Sequence, residues 1–469
     1  MHHLNPPQTL SLLWCAQATQ GNYDGTHDAL FCGVSTDSRA ITQGMLYVAL
    51  RGERFDGHDF ATHALAAGAS AVLVDHPIAD IPNAQQIIVK DCYQALLDMA
   101  AARRSAWTIP IVGITGSAGK TSTKEMMARA SASQKRSFAT QGNYNNHIGM
   151  PLTLLNAPAD TELLVLEMGM NHAGEIDVLS RTARPDIAII TTVDAAHLEF
   201  FDSVADIARA KAEIMNGLPK GATIMLPADN AYLPILMDHA QACGVHPVLF
   251  GLDANADYCL THHHIDRTGT HATLRHAEVE TSYHLGALGV HHAVNALAVL
   301  GACVALQLDL AQCAHALHHY HEPKGRGTLH SIAWNDGIIT LIDETYNASP
   351  VAMRAAFARA RAIANTGNHR LIAVLGDMLE LGTQSPELHA GLAESLIEQG
   401  FDRVLCLGET MRHLHEALPN AMQGGHFMHH DEAAQALAAL LLPNDLVLCK
   451  GSRGMRIETI IQQVQKNAA

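Results

Sequence analysis

The most informative part of the chain is the string I-V-G-I-T-G-S-A-G-K-T-S-T-K-E, which runs from Ile111 to Glu125. An apolar segment typical of a buried strand leads into a glycine-bearing turn that ends in Gly119-Lys120-Thr121, and a helix-forming segment follows. Backbone N–H groups in such a turn, at the positive end of a helix, bind phosphate oxygens. Lys120 adds a mobile positive charge, and the Thr121 hydroxyl can bind a magnesium ion. The string therefore predicts a site for ATP or GTP.

The spacing of this phosphate loop differs from the strict Walker pattern, because the position five residues before Gly119 is Ile114. The glycine that fits is Gly113, one residue further back, and Gly116 lies inside the loop. An ordinary strand-turn-helix connection that binds no nucleotide is the alternative. If a nucleotide binds, we expect it to contact Thr115, Gly116, Ser117, Ala118, Gly119, Lys120, Thr121 and Ser122.

Phosphoryl transfer also needs a metal ion near the phosphates, and Glu167 is a candidate ligand. It closes the strand-like run L-L-V-L-E-M, where a carboxylate would face the phosphate loop across the sheet. The alternative is a strand-end carboxylate that caps a helix, and the phosphate loop favours the metal role. His197 follows another strand and Lys211 lies in a helical segment. Neither carries a functional signal alone, because such side chains usually form local hydrogen bonds or extend to water.

Length and composition limit the class of protein. A chain of 469 residues suggests about three domains, and 48% hydrophobic with 16% charged residues is typical of a globular protein. The net charge of −16 argues against a nucleic-acid binder, although basic loops still permit an anionic substrate. No apolar run is long enough to span a bilayer and the N-terminus lacks a signal-peptide pattern, so we expect a cytoplasmic protein. Nine cysteines without a C-x-x-C pair indicate reduced thiols.

The chain contains 31 histidines, an unusual number. The run His262-His263-His264 has the chemistry to bind a metal ion. It lies in a polar segment that has no regular pattern, so we expect these side chains to be solvated instead.

Apolar runs alternating with helical periodicity divide the chain into three blocks, at 1–106, 107–320 and 321–469. In the first we expect strands at 45–50 and 69–75, a helix after His58 and a helix at 92–107. In the second we expect strands at 109–115, 162–168, 186–191, 222–226 and 246–250, helices at 120–132 and 204–216, and an antiparallel addition at 258–285. In the third we expect strands at 338–343, 370–376, 403–408 and 445–450, and helices at 351–364, 386–399, 432–442 and 455–464.

Strands that alternate with helices predict an α/β fold whose mainly parallel sheets are covered on both faces. We therefore expect a small α/β N-terminal domain, a central phosphate-loop domain and a C-terminal Rossmann-like domain. In the last, ligands collect beyond the carboxyl ends of the strands. Because no G-x-G-x-x-G follows its first strand, a dinucleotide site is not expected there.

Four further strings contain polar residues suited to binding an extended ligand. The string T-Q-G-N-Y-N-N-H-I-G-M-P contains Asn143 and Asn146, although Asn and Gly also favour simple turns. G-V-H-H-A-V-N-A-L starts a helix that contains Asn295, P-K-G-R contains Arg326, and D-E-T-Y-N-A-S-P begins with Asp343 at a strand end.

Together these strings resemble the Mur ligases, the ATP-dependent amide-forming enzymes of bacterial cell-wall precursor synthesis, over nearly the whole chain. Within that family, T-G-S-A-G-K-T-S-T-K-E, E-M-G-M-N-H-A-G-E-I, D-E-T-Y-N-A-S-P and L-G-D-M-L-E-L-G are similar to the branch that joins D-alanyl-D-alanine to UDP-N-acetylmuramoyl-tripeptide. The ending K-G-S-R-G-M is similar too, and S-T-D-S-R with D-G-H-D-F resembles the uridine-nucleotide-binding domain of this branch. The D-N-P-R string of the diaminopimelate-adding relative is absent.

The resemblance implies that ATP phosphorylates the terminal carboxylate of the tripeptide and that the dipeptide amine attacks the acyl phosphate. It implies ATP and Mg²⁺ as cofactors and a monomeric enzyme of the bacterial cytoplasm, without nucleic-acid or membrane partners. Lys120 and the loop would hold the β- and γ-phosphates, and Thr121 with Glu167 would bind one magnesium ion. His197 and a carbamylated Lys211 would support a second ion.

The resemblance also assigns the substrate contacts. Asn295 would contact adenine, Arg326 phosphate and Asp343 ribose. The remaining predicted contacts are Ser38 and Arg39 for the uridine nucleotide, Asn143 and Asn146 for the muramoyl peptide, and Tyr346 and Asn347 for the dipeptide.

Several residues depart from the family pattern. His292 stands where the family usually has Asn in H-N-x-x-N, Thr192 and Asp194 replace Asn and Gly in N-V-G-x-A-H, and Ser349 replaces Asn before proline. Two other functions stay open: a Mur-type ligase that adds a single amino acid, and a phosphate-loop nucleotide switch that makes no bond. The third-block strings argue against the first, and a switch would not require two metal positions.

Overall fold

The computed structural model describes residues 6–25, 28–52, 55–196, 198–266, 268–322, 325–365, 367 and 369–467. The fold is α/β, as predicted. Three of its sheets contain parallel strands, and each of these sheets is formed by a separate stretch of the chain. Within this part of the chain, every helix is too short or too polar to cross a bilayer.

The N-terminal block contains a four-stranded parallel sheet in the order β3-β4-β5-β6, beside an antiparallel pair formed by β1 and β2. The strands β4 and β5 are wholly buried, which is typical of parallel sheets. The elements are β1 (Thr9–Ser11), α1 (Leu12–Thr19), β2 (Leu30–Cys32), β3 (Val34–Ser35), β4 (Leu46–Val48), α2 (Ala61–Ala66), β5 (Ala71–Val74), β6 (Gln86–Ile88) and α3 (Cys92–Ala106).

The central block contains a nine-stranded sheet in the order β15-β14-β13-β12-β11-β10-β7-β9-β8. The strands from β8 to β13 pair in parallel, whereas β13, β14 and β15 pair antiparallel. The elements are β7 (Ile111–Thr115), α4 (Lys120–Ser131), β8 (Ser137–Ala139), α5 (Gly149–Leu155), β9 (Leu163–Glu167), α6 (Glu175–Ala183), β10 (Ile187–Ile190), α7 (Val204–Ala212), β11 (Thr223–Pro227), α8 (Leu233–Cys243), β12 (His246–Gly251), β13 (Tyr258–Asp266), β14 (Gly269–His276), β15 (Val279–Leu285), α9 (Val290–Ala305) and α10 (Leu310–Ala316).

The C-terminal block contains a six-stranded sheet in the order β16-β17-β21-β18-β19-β20, parallel except for the edge strand β16. The elements are β16 (Thr328–Trp334), β17 (Gly337–Glu344), α11 (Pro350–Asn365), β18 (Leu371–Gly376), α12 (Ser385–Ala390), α13 (Leu392–Glu398), β19 (Arg403–Leu407), α14 (Met411–Ala417), β20 (Gln423–Phe427), α15 (His430–Leu440), β21 (Leu446–Lys450) and α16 (Glu458–Asn467).

Apolar cores cover both faces of the central sheet. Alternate residues of β7 point to opposite faces, so Val112 joins the core under α4 and α9 whereas Ile111 joins the core on the α5 side. That second core continues into the N-terminal block through Leu96 and Met99 of α3. The N-terminal sheet is therefore held against the central one by shared apolar packing.

The register of the central strands determines at which edge of the sheet the candidate site residues lie. Ile190 pairs with Thr115, and Ile114 pairs with Glu167, so β7, β9 and β10 end at the same edge of the sheet. In the C-terminal sheet, Glu344 pairs with Lys450 at the corresponding strand ends. Both sheets thus present polar residues where their parallel strands finish.

Most predicted elements are confirmed, including the antiparallel addition, which is formed by β13, β14 and β15. The single helix expected at 386–399 is wrong, because the chain forms α12 and α13, separated at Gly391. His262, His263 and His264 are exposed, as expected, but they lie in the regular strand β13 instead of an irregular segment.

Candidate active site

A cavity of about 710 Å³ lies between the carboxyl edge of the central sheet and the C-terminal block. Predicted residues from both blocks line this one space. They are Ser117, Ala118, Gly119, Lys120, Thr121, Ser122, Asn143, Asn146, Glu167, Asn295, Arg326, Tyr346 and Asn347.

The phosphate loop joins β7 to α4 through two glycines in the left-handed region of backbone conformation. Gly116 has φ +151° and Gly119 has φ +80°. A Cβ atom at Gly116 would lie 1.9 Å from Thr191 Oγ1, so a larger residue would displace the neighbouring strand end. Gly116 and Gly119 therefore have to be glycine, because side chains are strained at these positive φ values and Thr191 leaves no room for a Cβ atom at Gly116.

Hydrogen bonds fix the loop to the segment after β10. The Ser117 N–H donates to the Thr192 carbonyl, the Asp194 N–H donates to Ser117 Oγ, and both distances are 2.9 Å. Thr191 Oγ1 donates to the Ala118 carbonyl at 2.5 Å. Thr192 and Asp194 contribute main-chain atoms to these contacts, so their departures from the family pattern leave the contacts intact.

Lys120 is the first residue of α4, and its Nζ donates to the Gly116 carbonyl at 2.7 Å. Burial lowers the pKa of Lys120, while the negative charge of Glu167 opposes that shift. The ammonium group is thus held within the loop, where an anionic phosphate would stabilise its charge.

Glu167 ends β9 and its side chain is nearly inaccessible, with the residue 2% exposed. Its Oε1 accepts a hydrogen bond from Asn145 Nδ2 at 2.8 Å, whereas its Oε2 is buried without a hydrogen-bond partner. A buried carboxylate oxygen without a donor is costly, and a cation would satisfy it. Thr121 lines the same cavity, so a carboxylate and a hydroxyl supply the oxygen ligands that Mg²⁺ prefers.

Asn145 was not predicted, although it lies between the two predicted asparagines. The Gly169 N–H donates to the Asn145 carbonyl at 2.8 Å, which fixes the loop beside the end of β9. Asn146 instead uses its Oδ1 to accept from the Gly149 N–H at 2.8 Å, at the start of α5. The N-Y-N-N string signals an amide-rich loop, but the turn geometry decides which amide reaches Glu167.

Lys211 lies on α7 and is 1% exposed. Burial lowers its pKa well below the usual value, and the nearby positive charge of Lys120 adds to the shift. Burial therefore favours the neutral amine of Lys211, which is the nucleophilic form. His197, the other predicted ligand of a second metal ion, lies outside the described residues.

The C-terminal block contributes a cationic turn to the cavity. The Arg326 guanidinium lies over the Tyr346 ring, 4.0 Å from its centroid, and the Tyr346 N–H donates to the Gly325 carbonyl at 3.0 Å. The Asn347 carbonyl accepts from Lys450 Nζ at 2.9 Å. The cation–π contact holds Arg326 toward the cavity while leaving its N–H groups available to an anion.

A buried chain of charges connects the central and C-terminal blocks. Arg359 contacts Glu322 at 2.6 Å and Glu344 at 3.1 Å, and Lys450 contacts Glu344 at 3.1 Å. His292 of α9 contacts the other oxygen of Glu322. Sequence reasoning missed these carboxylates, because their partners are distant along the chain. The position of Glu344 at a strand end was the available signal.

Asn295 is 8% exposed on α9 and lies against the phosphate loop, with its Nδ2 2.7 Å from where a Cβ of Gly119 would be. Thr115 is wholly buried at the end of β7 and does not line the cavity. Asp343 does not line it either; it is 4% exposed, and its Oδ1 accepts from Thr345 Oγ1 at 2.7 Å. The adjacent Glu344 is the carboxylate that reaches the cavity.

The predicted uridine contacts lie in the N-terminal block, away from this cavity. Ser38 is buried in a short 3₁₀ helix, and Arg39 is exposed and contacts Asp37 at 2.7 Å. Hydrogen bonds from Arg39 lower the pKa of Asp37 to about 2. This ion pair is preformed at the surface of the N-terminal block.

Known families and proteins match nearly the whole chain. Residues 31–104 match the Mur ligase family catalytic domain, 114–303 the Mur ligase middle domain and 325–453 the Mur ligase glutamate ligase domain. UDP-N-acetylmuramoyl-tripeptide–D-alanyl-D-alanine ligase of Bacillus subtilis strain 168 is 35% identical over 92% of this chain and 93% of its own length.

Two solved structures have the same architecture. The crystal structure of MurF from Acinetobacter baumannii matches with a TM-score of 0.89 and 29% sequence identity. The match covers 98% of this chain and 100% of the MurF chain. The structure of MurF ligase from Thermotoga maritima in complex with ADP matches with a TM-score of 0.81 and 27% sequence identity. The match covers 93% of this chain and 97% of the Thermotoga chain.

Proposed function

Because the chain belongs to the Mur ligase family, we propose that it joins D-alanyl-D-alanine to UDP-N-acetylmuramoyl-tripeptide while ATP is converted to ADP and phosphate. The product is the UDP-muramoyl-pentapeptide of peptidoglycan synthesis. The enzyme is an ATP-dependent ligase that forms a C–N bond. The observation that carries the proposal is the single cavity in which the phosphate loop, the loop that contains Asn143, Asn145 and Asn146, and the C-terminal cationic turn meet.

The chemistry follows from the poor reactivity of a carboxylate. One oxygen of the tripeptide carboxylate attacks the γ-phosphorus of ATP, the bond to the ADP oxygen breaks, and an acyl phosphate forms. The dipeptide nitrogen then attacks the carbonyl carbon and loses a proton, and phosphate leaves with its bonding electron pair. Phosphorylation is needed because a free carboxylate has no adequate leaving group and repels an electron-rich nucleophile.

Residues of this chain position and stabilise the charged groups. Lys120 and the N–H groups of the loop hold the β- and γ-phosphates, and Arg326 approaches the same anion from the C-terminal block. Asn295 lies beside the loop, where it contacts the nucleotide. Two cationic side chains from different blocks thus oppose the negative charge that develops during phosphoryl transfer.

Magnesium fits the oxygen ligands of this site. Glu167, through its unpartnered Oε2, and Thr121 would hold the ion, which supplies charge neutralisation at the phosphates when bound. Asn145 keeps the other Glu167 oxygen in place. Lys211, as a neutral amine, can attack carbon dioxide and lose a proton to give a carbamate, which would convert it into an anionic oxygen ligand for a second ion with His197.

The two organic substrates approach from different blocks. Ser38 and Arg39 bind the uridine diphosphate end, and Asn143 and Asn146 contact the muramoyl peptide. Tyr346 and Asn347 position the dipeptide beside the activated carboxyl group. Both substrates are charged and water-soluble, which suits an enzyme of the bacterial cytoplasm, and the proposed active form is a monomer. A ligase that adds a single amino acid is disfavoured by the match along the chain to a dipeptide-adding ligase.

A substrate matrix tests this function. The purified chain is combined with ATP and Mg²⁺, with UDP-muramoyl di-, tri- and tetrapeptides, and with single amino acids and dipeptides. We expect the pentapeptide mass and stoichiometric phosphate release with the tripeptide and D-alanyl-D-alanine together. A product with a single amino acid would favour a different Mur-type ligase. ATP turnover that does not depend on either acceptor would favour a nucleotide switch.

A further inference from the structure

A row of histidines crosses the antiparallel part of the central sheet, far from the phosphate loop in the strand order. His264 of β13 pairs directly with His271 of β14, which pairs directly with His284 of β15. The ring centroids are 5.8 Å apart in the first pair and 4.3 Å in the second. Side chains of directly paired residues share one face of a sheet, so the three imidazoles form a continuous surface.

A fourth histidine meets this row from outside the sheet. His318 follows α10, and its Nδ1 lies 2.6 Å from Nδ1 of His284. The two residues are exposed or partly exposed and 34 positions apart, so no chain connection forces this approach.

The hydrogen bonds around His284 indicate which of its nitrogens carries the lone pair. Thr268 Oγ1 donates its proton to Asp266 Oδ1 at 2.6 Å, so it can act as an acceptor toward His284 Nε2, 3.4 Å away. A proton on Nε2 leaves the lone pair on Nδ1, directed at His318.

Two imidazole nitrogens at this separation need a proton or a cation between them. Zinc–nitrogen bonds of about 2.0 to 2.1 Å at a tetrahedral angle would separate the nitrogens by roughly 3.3 Å. A small rotation of the exposed His318 provides that distance. We propose that a divalent transition-metal ion of the zinc class binds between His284 and His318, with His271 as the third protein ligand.

His271 has the surroundings of a metal-binding histidine. Its Nε2 lies 3.0 Å from Asp266 Oδ2, and a proton held there leaves Nδ1 free to bind the ion. His271 is exposed, so its ring can turn toward His284, and it has to turn for one of its nitrogens to reach the same ion as His284 and His318. The residues line an open depression of about 870 Å³, which leaves room for water as the fourth ligand. The histidines that line this space are His262, His263, His264, His271, His284, His315 and His318.

Binding of ZnCl₂ to the metal-free full-length chain tests this site by competition with a chromophoric zinc indicator. The wild type is compared with His284→Gln/His318→Gln and with Asp266→Asn. We expect the tightest zinc site to weaken by about tenfold or more in the double variant and by about tenfold in Asp266→Asn, the outer partner of His271. Zinc should raise the Tm of the wild type and not that of the double variant.

The matched control is His63→Gln/His246→Gln, which removes two exposed histidines elsewhere. Circular dichroism and ligase activity without zinc check that each variant is folded. If the double variant folds poorly, His318→Gln alone replaces it, because that side chain is at the surface. Equal zinc affinity in the wild type and the double variant, or an equal loss in the control, would overturn the proposal.

Discussion

The Nε2 atom of His292 lies 2.5 Å from the Oε1 atom of Glu322, and both side chains are buried. His292 belongs to α9, whereas Glu322 lies in the segment that leads to the C-terminal block and is also bound by Arg359. The contact therefore ties the helix beside the phosphate loop to the block that supplies Arg326. It also gives a role to the histidine that stands where the family usually has asparagine.

Replacing Arg359 should destabilise the protein strongly. Arg359→Met leaves two buried carboxylates, those of Glu322 and Glu344, without their shared cation, and we expect a loss of about 3 to 5 kcal/mol in the free energy of unfolding. Urea unfolding of the full chain measures this value. Arg354→Met, an exposed arginine on the same helix, is the control and should change stability little. Comparable losses in both variants would show that the buried charges do not hold the blocks together.

Glu167→Gln should weaken the response of the enzyme to magnesium. The substitution keeps the shape of the side chain but removes the charge of the unpartnered Oε2, so we expect kcat to fall by about a hundredfold and more Mg²⁺ to be required for half-maximal rate. Titration of the ligase rate with MgCl₂ measures both effects. Glu162→Gln, near the other end of β9, should leave the titration unchanged. An unaltered magnesium dependence in Glu167→Gln would remove this residue from the metal site.

Lys211→Ala should abolish ligation, and small carboxylates should restore part of it. Because burial lowers the pKa of Lys211 well below its usual value, it favours the neutral amine, the form that reacts with carbon dioxide. We expect a loss of about a thousandfold and partial recovery when acetate or propionate is added. The exposed Lys220→Ala is the control. Full activity in Lys211→Ala, without any addition, would reject the carbamate.

Arg39→Ala should affect binding of the uridine nucleotide more than the chemical step. The guanidinium is held by Asp37 at the surface of the N-terminal block, outside the central cavity. Loss of a charge-assisted contact corresponds to about a tenfold rise in KM for the UDP-muramoyl tripeptide, with kcat little changed. Initial rates at varied tripeptide concentration measure the two constants, with the exposed Arg412→Ala as the reference. A fall in kcat at unchanged KM would place Arg39 in a different role.

The sequence predicts the fold well where its signals are local. The apolar run of β7 and the glycines before Lys120 specify a strand and a turn over adjacent residues, and both are present. Edge strands are harder to predict. In β16 the exposed positions include Leu329 and Ala333 whereas the opposite face includes Thr328 and His330, so polar and apolar residues do not alternate along the strand. β20 contains two glycines with low strand propensity, so neither strand has a clear sequence pattern.

The site is predictable only where each residue carries its own signal. Glu167 ends β9 and Lys120 follows β7, and the two strands end together, so the proximity of the two residues follows from parallel pairing. Asn145 was passed over in favour of its neighbours because one turn decides which amide points at Glu167. The contact between Glu322 and Arg359 joins positions 37 residues apart, and no local pattern indicates such a pair. The roles assigned to the individual site residues stay predictions, and the variants above test those of Glu167, Lys211 and Arg39.

Transfer of an oxygen atom tests the central claim most directly. The UDP-muramoyl tripeptide is labelled with ¹⁸O in its terminal carboxylate and converted with ATP and D-alanyl-D-alanine, and the released phosphate is analysed by mass spectrometry. If the γ-phosphoryl group held at Lys120 is transferred to the carboxylate, one labelled oxygen appears in each phosphate formed. Phosphate that carries no label, released while the pentapeptide forms, would contradict the acyl-phosphate route.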